Sequence, residues 1–112
     1  MLKHFNEIQD PKMIGVNAEL MQMLDDAREI AEVPFIITSG LRTPEHNAEV
    51  GGVRDSAHLK GLAVDIACND RHTRFKIIKG LIIAGFIRIL WGKGHVHADI
   101  DPTKAQEIMD QE

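Results

Sequence analysis

Hydrophobic residues recur at intervals of three and four between positions 17 and 32, which predicts an amphipathic helix. Asn17 is a suitable N-cap for this helix, and Pro34 prevents its continuation. The segment Phe35 to Thr38 then has the continuous apolar character of a short buried strand. The residues expected on the buried face of the helix are Leu20, Met23, Leu24, Ala27, Ile30 and Ala31.

Two more helices are predicted from capping residues and from the glycines that follow them. Thr43 is the expected N-cap of a short helix that ends by Val50, where two glycines follow. Asn69 or Asp70 caps a longer helix that extends to about Ala84, and a glycine again ends it. The inner face of this helix is expected to carry Phe75, Ile78, Leu81 and Ile82.

Three further segments are predicted to be strands, and the first and last of them show the two-residue alternation of a strand. They are residues 61–67, 86–91 and 95–100, and the Gly-Lys-Gly sequence at 92–94 predicts a hairpin between the last two. Residues from Pro102 onward are polar and predict a loose terminal turn or helix. The elements together predict an α+β fold in which about three helices pack with a small, mostly antiparallel sheet. The length predicts one domain over residues 1–112.

Composition narrows the possible partners. The net charge of −4 is spread along the chain without a basic block, so nucleic acid is not expected as a partner. The longest mainly apolar stretch, Ile77 to Leu90, contains Lys79 and Arg88, which makes it too short and too charged to span a membrane. We therefore expect no membrane partner either.

The N-terminal residues bear on where in the cell the protein is found. Residues 1–10 contain four charged or titratable side chains where a signal peptide would have an apolar segment. We therefore expect a soluble protein made in the cytoplasm, or one that leaves the cell by a route that the sequence does not encode.

Cys68 is the single cysteine, so it forms no intrachain disulfide. It follows an apolar run and is expected to pack in the core instead of acting as a nucleophile.

Two segments carry side chains that a simple core would not need. His58 precedes a strand that contains Asp65, and strand alternation places His95, His97 and Asp99 on one face of a second strand. A carboxylate buried in a strand is costly unless it is paired or bound to a metal. Two imidazoles and one carboxylate, with a fourth position open to water, are typical of a catalytic zinc site.

The residues alone also allow a simpler interpretation. His58 could lie in a surface loop, and His95 and His97 could form the polar face of an exposed hairpin. Asp65 could be an ion-pair partner of Arg42 or Arg54.

The spacing of three segments supports the metal interpretation. The pattern Ser56-x-His58-x-x-Gly61-x-Ala63-x-Asp65 resembles the S-x-H-x-x-G-x-A-x-D signature of the M15 family of D-Ala-D-Ala metallopeptidases. The strand H-x-H-x-D that contains His97 resembles the segment with the last zinc ligand of that family. Residues 38–47, TSGLRTPEHN, resemble its S-G-x-R-x-P-x-x-N segment. The matches occur in the family's order and extend over more than half of the chain.

The resemblance implies a Hedgehog/DD-peptidase-like fold with a zinc site on the sheet. It implies that His58, Asp65 and His97 are the zinc ligands. It also implies that Arg42 holds a carboxylate or carbonyl oxygen of the substrate, a role that suits a guanidinium. The alternative for Arg42 is a structural ion pair in a turn.

The chain departs from the family at one position. Several members have a glutamate three residues before the last histidine ligand, where it serves as general base, and this chain has Gly94 there. His95 is the nearest substitute as a proton acceptor, since imidazole can exchange a proton near neutrality. It could instead orient the catalytic water or be structural.

Two more residues are expected to support the ligands. Asp99 would hold His97 in the correct tautomer, unless it is a charge at the hairpin end that faces solvent. Ser56 would form a hydrogen bond near the ligands, unless it is an ordinary turn serine.

The function implied is zinc-dependent hydrolysis of peptide bonds in peptidoglycan stem or cross-link peptides, by a D-Ala-D-Ala carboxypeptidase or a murein endopeptidase. The alternative is a zinc-binding module for binding or assembly without catalysis. We expect a monomer whose partners are peptidoglycan peptides. A short lytic domain of this kind also resembles the catalytic unit of a phage or prophage endolysin, which a partner protein would release to the cell wall.

Overall fold

Three α-helices pack with a five-stranded sheet in the computed structural model, which describes residues 1–111. The α-helices are α1 (Ala18–Ala31), α2 (Pro44–Glu49) and α3 (Arg71–Ile83), and short 3₁₀ helices occupy Pro11–Met13 and Ala57–Lys60. The strands are β1 (Ile37–Ser39), β2 (Ala63–Ala67), β3 (Arg88–Trp91), β4 (His95–Asp99) and β5 (Glu107–Asp110). The predicted α+β fold with about three helices is therefore confirmed.

The sheet has the strand order β1-β2-β4-β3-β5. Its pairs are antiparallel except for β3 and β5, which are parallel. In the central β2–β4 pair, Asp65 lies opposite His97 and Ala63 lies opposite Asp99. This register brings together the two segments that the sequence marked as chemically unusual.

The three helices begin where the capping residues predict. Asn17, Thr43 and Asp70 each accept a hydrogen bond through the side chain from the backbone N–H three residues later, at 2.8–3.1 Å. Each cap satisfies a donor that the first helical turn leaves unpaired. Asp70, and not Asn69, is therefore the cap of α3.

The core lies between the helices and one face of the sheet. It includes Met21 and Cys68, so Cys68 packs as the small core residue that was expected. Gly80 allows α3 to approach α1 closely, because a Cβ at this position would lie 2.5 Å from the carbonyl oxygen of Ala27. The completely buried side chains of the core include Leu20, Leu24, Val64, Ile66, Ile77, Leu81, Ile89 and Val96.

The inner face of α3 agrees with the prediction at Leu81 and at Ile78, which packs against the core, but differs at Phe75 and Ile82. Ile77, Gly80 and Leu81 are buried, whereas Phe75 is 65% exposed and Ile82 is 47% exposed. Hydrophobic residues occupy much of the circumference of this helix, so helical spacing alone could not identify the side that packs. Ile30 of α1 is likewise more exposed, at 38%, than its helical spacing predicted.

Two strand predictions also need correction. β1 begins at Ile37, two residues later than predicted, although Phe35 is buried. The predicted loose turn or helix after Pro102 is wrong, because residues 107–110 form β5. β5 obtains its backbone hydrogen bonds from β3, a long-range pairing that its own four residues do not reveal.

None of the helices within residues 1–111 is long and apolar enough to cross a membrane.

Candidate metal centre

The segment that carries His58 is fixed on both sides. The hydroxyl oxygen of Ser56 accepts a hydrogen bond from the His58 backbone N–H at 3.2 Å and caps the 3₁₀ helix Ala57–Lys60. Gly61 ends that helix with a φ of 70°, a conformation that side chains disfavour. A Cβ on Gly61 would also lie 2.7 Å from the carbonyl oxygen of Gly15. Ser56 and Gly61 thus hold the His58 ring, which is only 2% exposed, against the sheet.

The hydrogen bonding of His58 leaves one ring nitrogen without a partner. Nδ1 lies 2.8 Å from the carbonyl oxygen of Gly40, and because a carbonyl only accepts, Nδ1 is the protonated nitrogen. Nε2 is buried and has no hydrogen-bond partner within residues 1–111. It lies 3.3 Å from Oδ1 of Asp65. Two acceptor atoms this close are unfavourable unless a proton or a metal ion lies between them, so this arrangement fits a metal ligand.

Asp65 lies between the two histidines. Its Oδ1 is 3.0 Å from Nδ1 of His97, and its Oδ2 is 3.3 Å from the guanidinium of Arg42. Burial alone would raise the pKa of Asp65, but the imidazoles of His58 and His97 lower it well below its ordinary value. The carboxylate is therefore ionised, as a metal ligand must be.

His97 has a partner on each side of its ring. Nδ1 faces Asp65, and Nε2 lies 2.7 Å from Oδ2 of Asp99. Burial alone would lower the pKa of His97, but the hydrogen bonds to Asp65 and Asp99 raise it to about 9. A histidine that keeps Nε2–H on a carboxylate presents Nδ1 to a metal, which is a common arrangement in zinc proteins.

The three predicted metal ligands come together. Ligand atoms from His58, Asp65 and His97 all lie within 4.8 Å of one another. The donor set of two imidazole nitrogens and one carboxylate oxygen suits zinc with a fourth position for water. The residues therefore fit the predicted cofactor by donor chemistry, by spacing and by the unpartnered Nε2 of His58.

The ligands lie in an open cleft of about 310 Å³. Ser56, His95 and Asp99 also line this cleft, so the alternation predicted for β4 is confirmed, with Val96 and Ala98 buried on its other face. Further lining residues include Arg42, Gly52, Val53, Arg88, Leu90, Lys104 and Gln111.

The simpler interpretation of these residues is partly correct. Asp65 does pair with Arg42, but it faces both histidines at the same time. His58 is buried instead of lying in a surface loop, and Asp99 is 1% exposed instead of facing solvent. Ser56 has the ordinary turn role of a capping serine and also lines the cleft.

Arg42 is held by hydrogen bonds from each of its nitrogens. Nε donates to the Ser39 hydroxyl at 3.1 Å, one terminal nitrogen donates to Oδ1 of Asn47 at 3.3 Å, and the other donates to Oδ2 of Asp65 at 3.3 Å. Arg42 therefore orients the carboxylate of Asp65. A guanidinium has five N–H groups, so two remain for other acceptors.

Two contributions to the site were missed by sequence reasoning. Arg88 of β3 donates through Nε to Oδ2 of Asp99 at 2.8 Å. Lys104 lines the cleft and pairs with Asp55 at 2.7 Å. Alternation along β3 could have placed Arg88 on the cleft side, whereas no pattern in the sequence places Lys104 there.

Comparison with known proteins identifies the family. A family model described as Peptidase M15 matches residues 3–99, so the chain belongs to the M15 peptidases, as the motifs indicated. Among solved structures, the crystal structure of Serratia marcescens L-Ala D-Glu endopeptidase ChiX is similar with a TM-score of 0.67. The two sequences are 21% identical, and the similarity covers 90% of each chain, which shows a shared fold. A comparison with curated protein sequences gives no significant match.

Proposed function

We propose that this chain is a zinc-dependent peptidase that hydrolyses peptide bonds in peptidoglycan stem or cross-link peptides. The observation that carries the proposal is that His58, Asp65 and His97 converge in an open cleft, with Nε2 of His58 buried and without a hydrogen-bond partner. Membership of the M15 peptidases supports the reaction. The fold shared with an L-Ala D-Glu endopeptidase supports peptides with D-amino acids as the substrate class.

The zinc ligands in this proposal are Nε2 of His58, Oδ1 of Asp65 and Nδ1 of His97. Zinc bound by three protein ligands supplies a Lewis acid for the scissile carbonyl and a water of lowered pKa. The chain's own contribution is to fix the donors: Gly40 holds His58, Arg42 holds Asp65, and Asp99 holds His97.

Proton transfer is assigned to His95. Gly94 has no side chain to act as the carboxylate base found in other members, and His95 lines the cleft on the same strand face as His97. Its imidazole accepts the proton of the attacking water and passes a proton to the leaving amine. Arg42 contributes its two remaining N–H groups to a substrate carboxylate or to the oxyanion that develops at the scissile carbonyl.

Gly94 also favours the second candidate function, a zinc-binding module that takes part in binding or assembly without catalysis. Both candidates require the same three ligands. They differ in whether the zinc-loaded protein releases new amines from peptidoglycan.

The test is digestion of purified peptidoglycan and synthetic stem peptides by the zinc-loaded protein, with products identified by mass spectrometry. We expect about one zinc per chain and discrete peptide products, whose masses distinguish carboxypeptidase from endopeptidase cleavage. His58→Ala and His97→Ala should lose zinc and activity together. His46→Ala changes an exposed histidine of α2 and should keep both.

Each other result has a defined meaning. Full zinc content with no new amine from any substrate supports the non-catalytic module. Digestion by His97→Ala at the wild-type rate contradicts the metal site itself.

A further inference from the structure

We propose that Arg88 is a positioning residue of the metal centre, which acts through Asp99 to fix the ring of His97. This inference rests on the proposed zinc site. It concerns the protein's affinity for the metal, so it can be tested without any peptidoglycan substrate.

The first step is the immobilisation of Asp99. Its Oδ2 lies 2.7 Å from Nε2 of His97 and 2.8 Å from Nε of Arg88, and its Oδ1 accepts the backbone N–H of Asp101 at 3.2 Å. Both oxygens are therefore engaged, and the residue is 1% exposed. Water has little access to replace a lost donor, so rotation of this carboxylate would break at least one bond.

The second step is the effect on His97. Because Asp99 holds Nε2, the opposite nitrogen of the ring is turned toward Asp65, 3.0 Å away. If Asp99 turned aside, the His97 ring would lose the contact that selects Nδ1 as the ligand atom. Partners that orient a ligating histidine commonly change metal affinity by about 10–100-fold when they are removed.

The third step is the anchoring of Arg88 itself. Its terminal nitrogen donates to the carbonyl oxygen of Ala105 at 2.9 Å and to Oε1 of Glu107 at 3.1 Å. Arg88 and Glu107 are also register partners in the parallel β3–β5 pair. One guanidinium therefore joins the C-terminal strand to the carboxylate that holds His97, and its rigid fork allows it to bind both sides at once.

A buried ion pair does not by itself show a role in positioning, because such pairs are common structural features. The chain offers a matched comparison in Lys60, which pairs with the buried Asp101 at 2.9 Å just beyond the end of β4. Lys60 also bonds the hydroxyl of Thr103 at 3.2 Å; it contacts the side chain of Asp101, whereas Asp99 is held by the Asp101 backbone N–H, and neither partner of Lys60 is a proposed zinc ligand. Loss of Lys60 thus removes a similar ion pair without releasing Asp99 from Arg88.

The experiment measures the zinc affinity of the full chain by competition with a chromogenic chelator. Arg88→Gln should bind zinc about 10–100-fold more weakly than the wild type. Its cobalt-substituted form should also show an altered visible absorption spectrum. Lys60→Gln should stay within about threefold of the wild-type zinc affinity, even if its melting temperature falls as much as that of Arg88→Gln.

Two further variants keep the test decisive. Glu107→Gln removes the charge of one anchor of Arg88 but leaves its bonds to Asp99 and to the Ala105 carbonyl, so it should retain most of the zinc affinity. If Arg88→Gln does not fold, Arg88→Lys replaces it, and its single ammonium should give a smaller but measurable loss.

The proposal is overturned if folded Arg88→Gln binds zinc as tightly as the wild type. It is also overturned if Lys60→Gln weakens zinc binding equally. A wild-type protein that binds zinc but cleaves no peptide would contradict the proposed peptidase function and leave the role of Arg88 standing. A wild-type protein that binds no zinc contradicts both.

Discussion

The two histidines of the candidate metal centre are each oriented by a hydrogen bond on the ring nitrogen that faces away from the site. His58 donates from Nδ1 to a backbone carbonyl and presents Nε2, while His97 bonds Asp99 through Nε2 and presents Nδ1. One orienting group is therefore main chain and fixed by the fold, whereas the other is a side chain that depends on Arg88. Substitutions near His97 should consequently affect the site more than substitutions near His58.

At the same scale, the sharpest prediction concerns His95. We expect His95→Ala to keep about one zinc per chain and to lose about 10²–10⁴-fold in turnover, the usual effect of removing a general acid or base. The reason is that His95 lines the cleft beside the ligands, while the three ligand atoms come from other residues. Zinc content and turnover should be measured on the same preparation.

The comparison for His95 is His72→Ala, which removes an exposed histidine at the start of α3. Zinc and turnover should both stay near the wild-type values in this variant. If His95→Ala released zinc, His95 would be a ligand and the role of Asp65 would need revision. Wild-type turnover with full zinc would instead remove His95 from the mechanism.

At the scale of elements, the antiparallel pair of β2 and β4 builds most of the site. Asp65 and His97 are register partners, so their side chains emerge on the same face of neighbouring strands. The alternation H-x-H-x-D along β4 predicted this face correctly, because one-sided burial of a strand leaves a two-residue pattern in the sequence. The motif in residues 56–65 likewise indicated that His58 and Asp65 belong to one site.

Other parts of the fold left no such pattern. β5 is only four residues long, with Ile108 and Met109 between two acidic residues, and it is paired through hydrogen bonds to β3, so the residues around it in the sequence do not indicate a strand. The contact between Arg88 and Asp99 joins two strands whose pairing was predicted, but nothing in the sequence specifies which charges meet. The packed side of α3 was obscured because hydrophobic residues occur on both of its sides.

The corrected orientation of α3 leads to a prediction about stability. Leu81 is completely buried, so Leu81→Ala should reduce the free energy of unfolding by about 2–5 kcal/mol. Ile82 is 47% exposed, so Ile82→Ala should change it by less than about 1 kcal/mol. Urea denaturation of the metal-free variants measures both values. Equal losses would mean that Ile82 packs as the helical pattern first indicated.

At the scale of the whole molecule, metal binding and folding should be coupled through pH. The proposed ligands lie on β2, β4 and the 3₁₀ helix between β1 and β2, so an ion bound by all three would stabilise the folded chain against unfolding. In the metal-free protein the pKa of His97 is raised to about 9, so at pH 7.5 its Nδ1 carries a proton. Zinc must displace that proton.

We therefore expect zinc binding at pH 7.5 to release about one proton per chain from His97, detected by calorimetry in two buffers of different ionisation enthalpy.

The stability of the metal-free protein should also depend on the titration of His97. Because the pKa of His97 in the folded state lies above the unfolded value of about 6.5, its protonation stabilises the metal-free fold fully below pH 6.5, and this contribution is lost as pH rises through 9. Zinc affinity, in contrast, increases as pH rises, by up to about tenfold per pH unit below pH 9. The increase in melting temperature caused by zinc should thus grow between pH 6.5 and 9.

The Asp99→Asn variant tests the source of the released proton. It removes one of the two groups that raise the pKa of His97, so zinc binding at pH 7.5 should release less than one proton from it. Identical binding heats in both buffers for the wild type would show that His97 is already neutral before zinc binds.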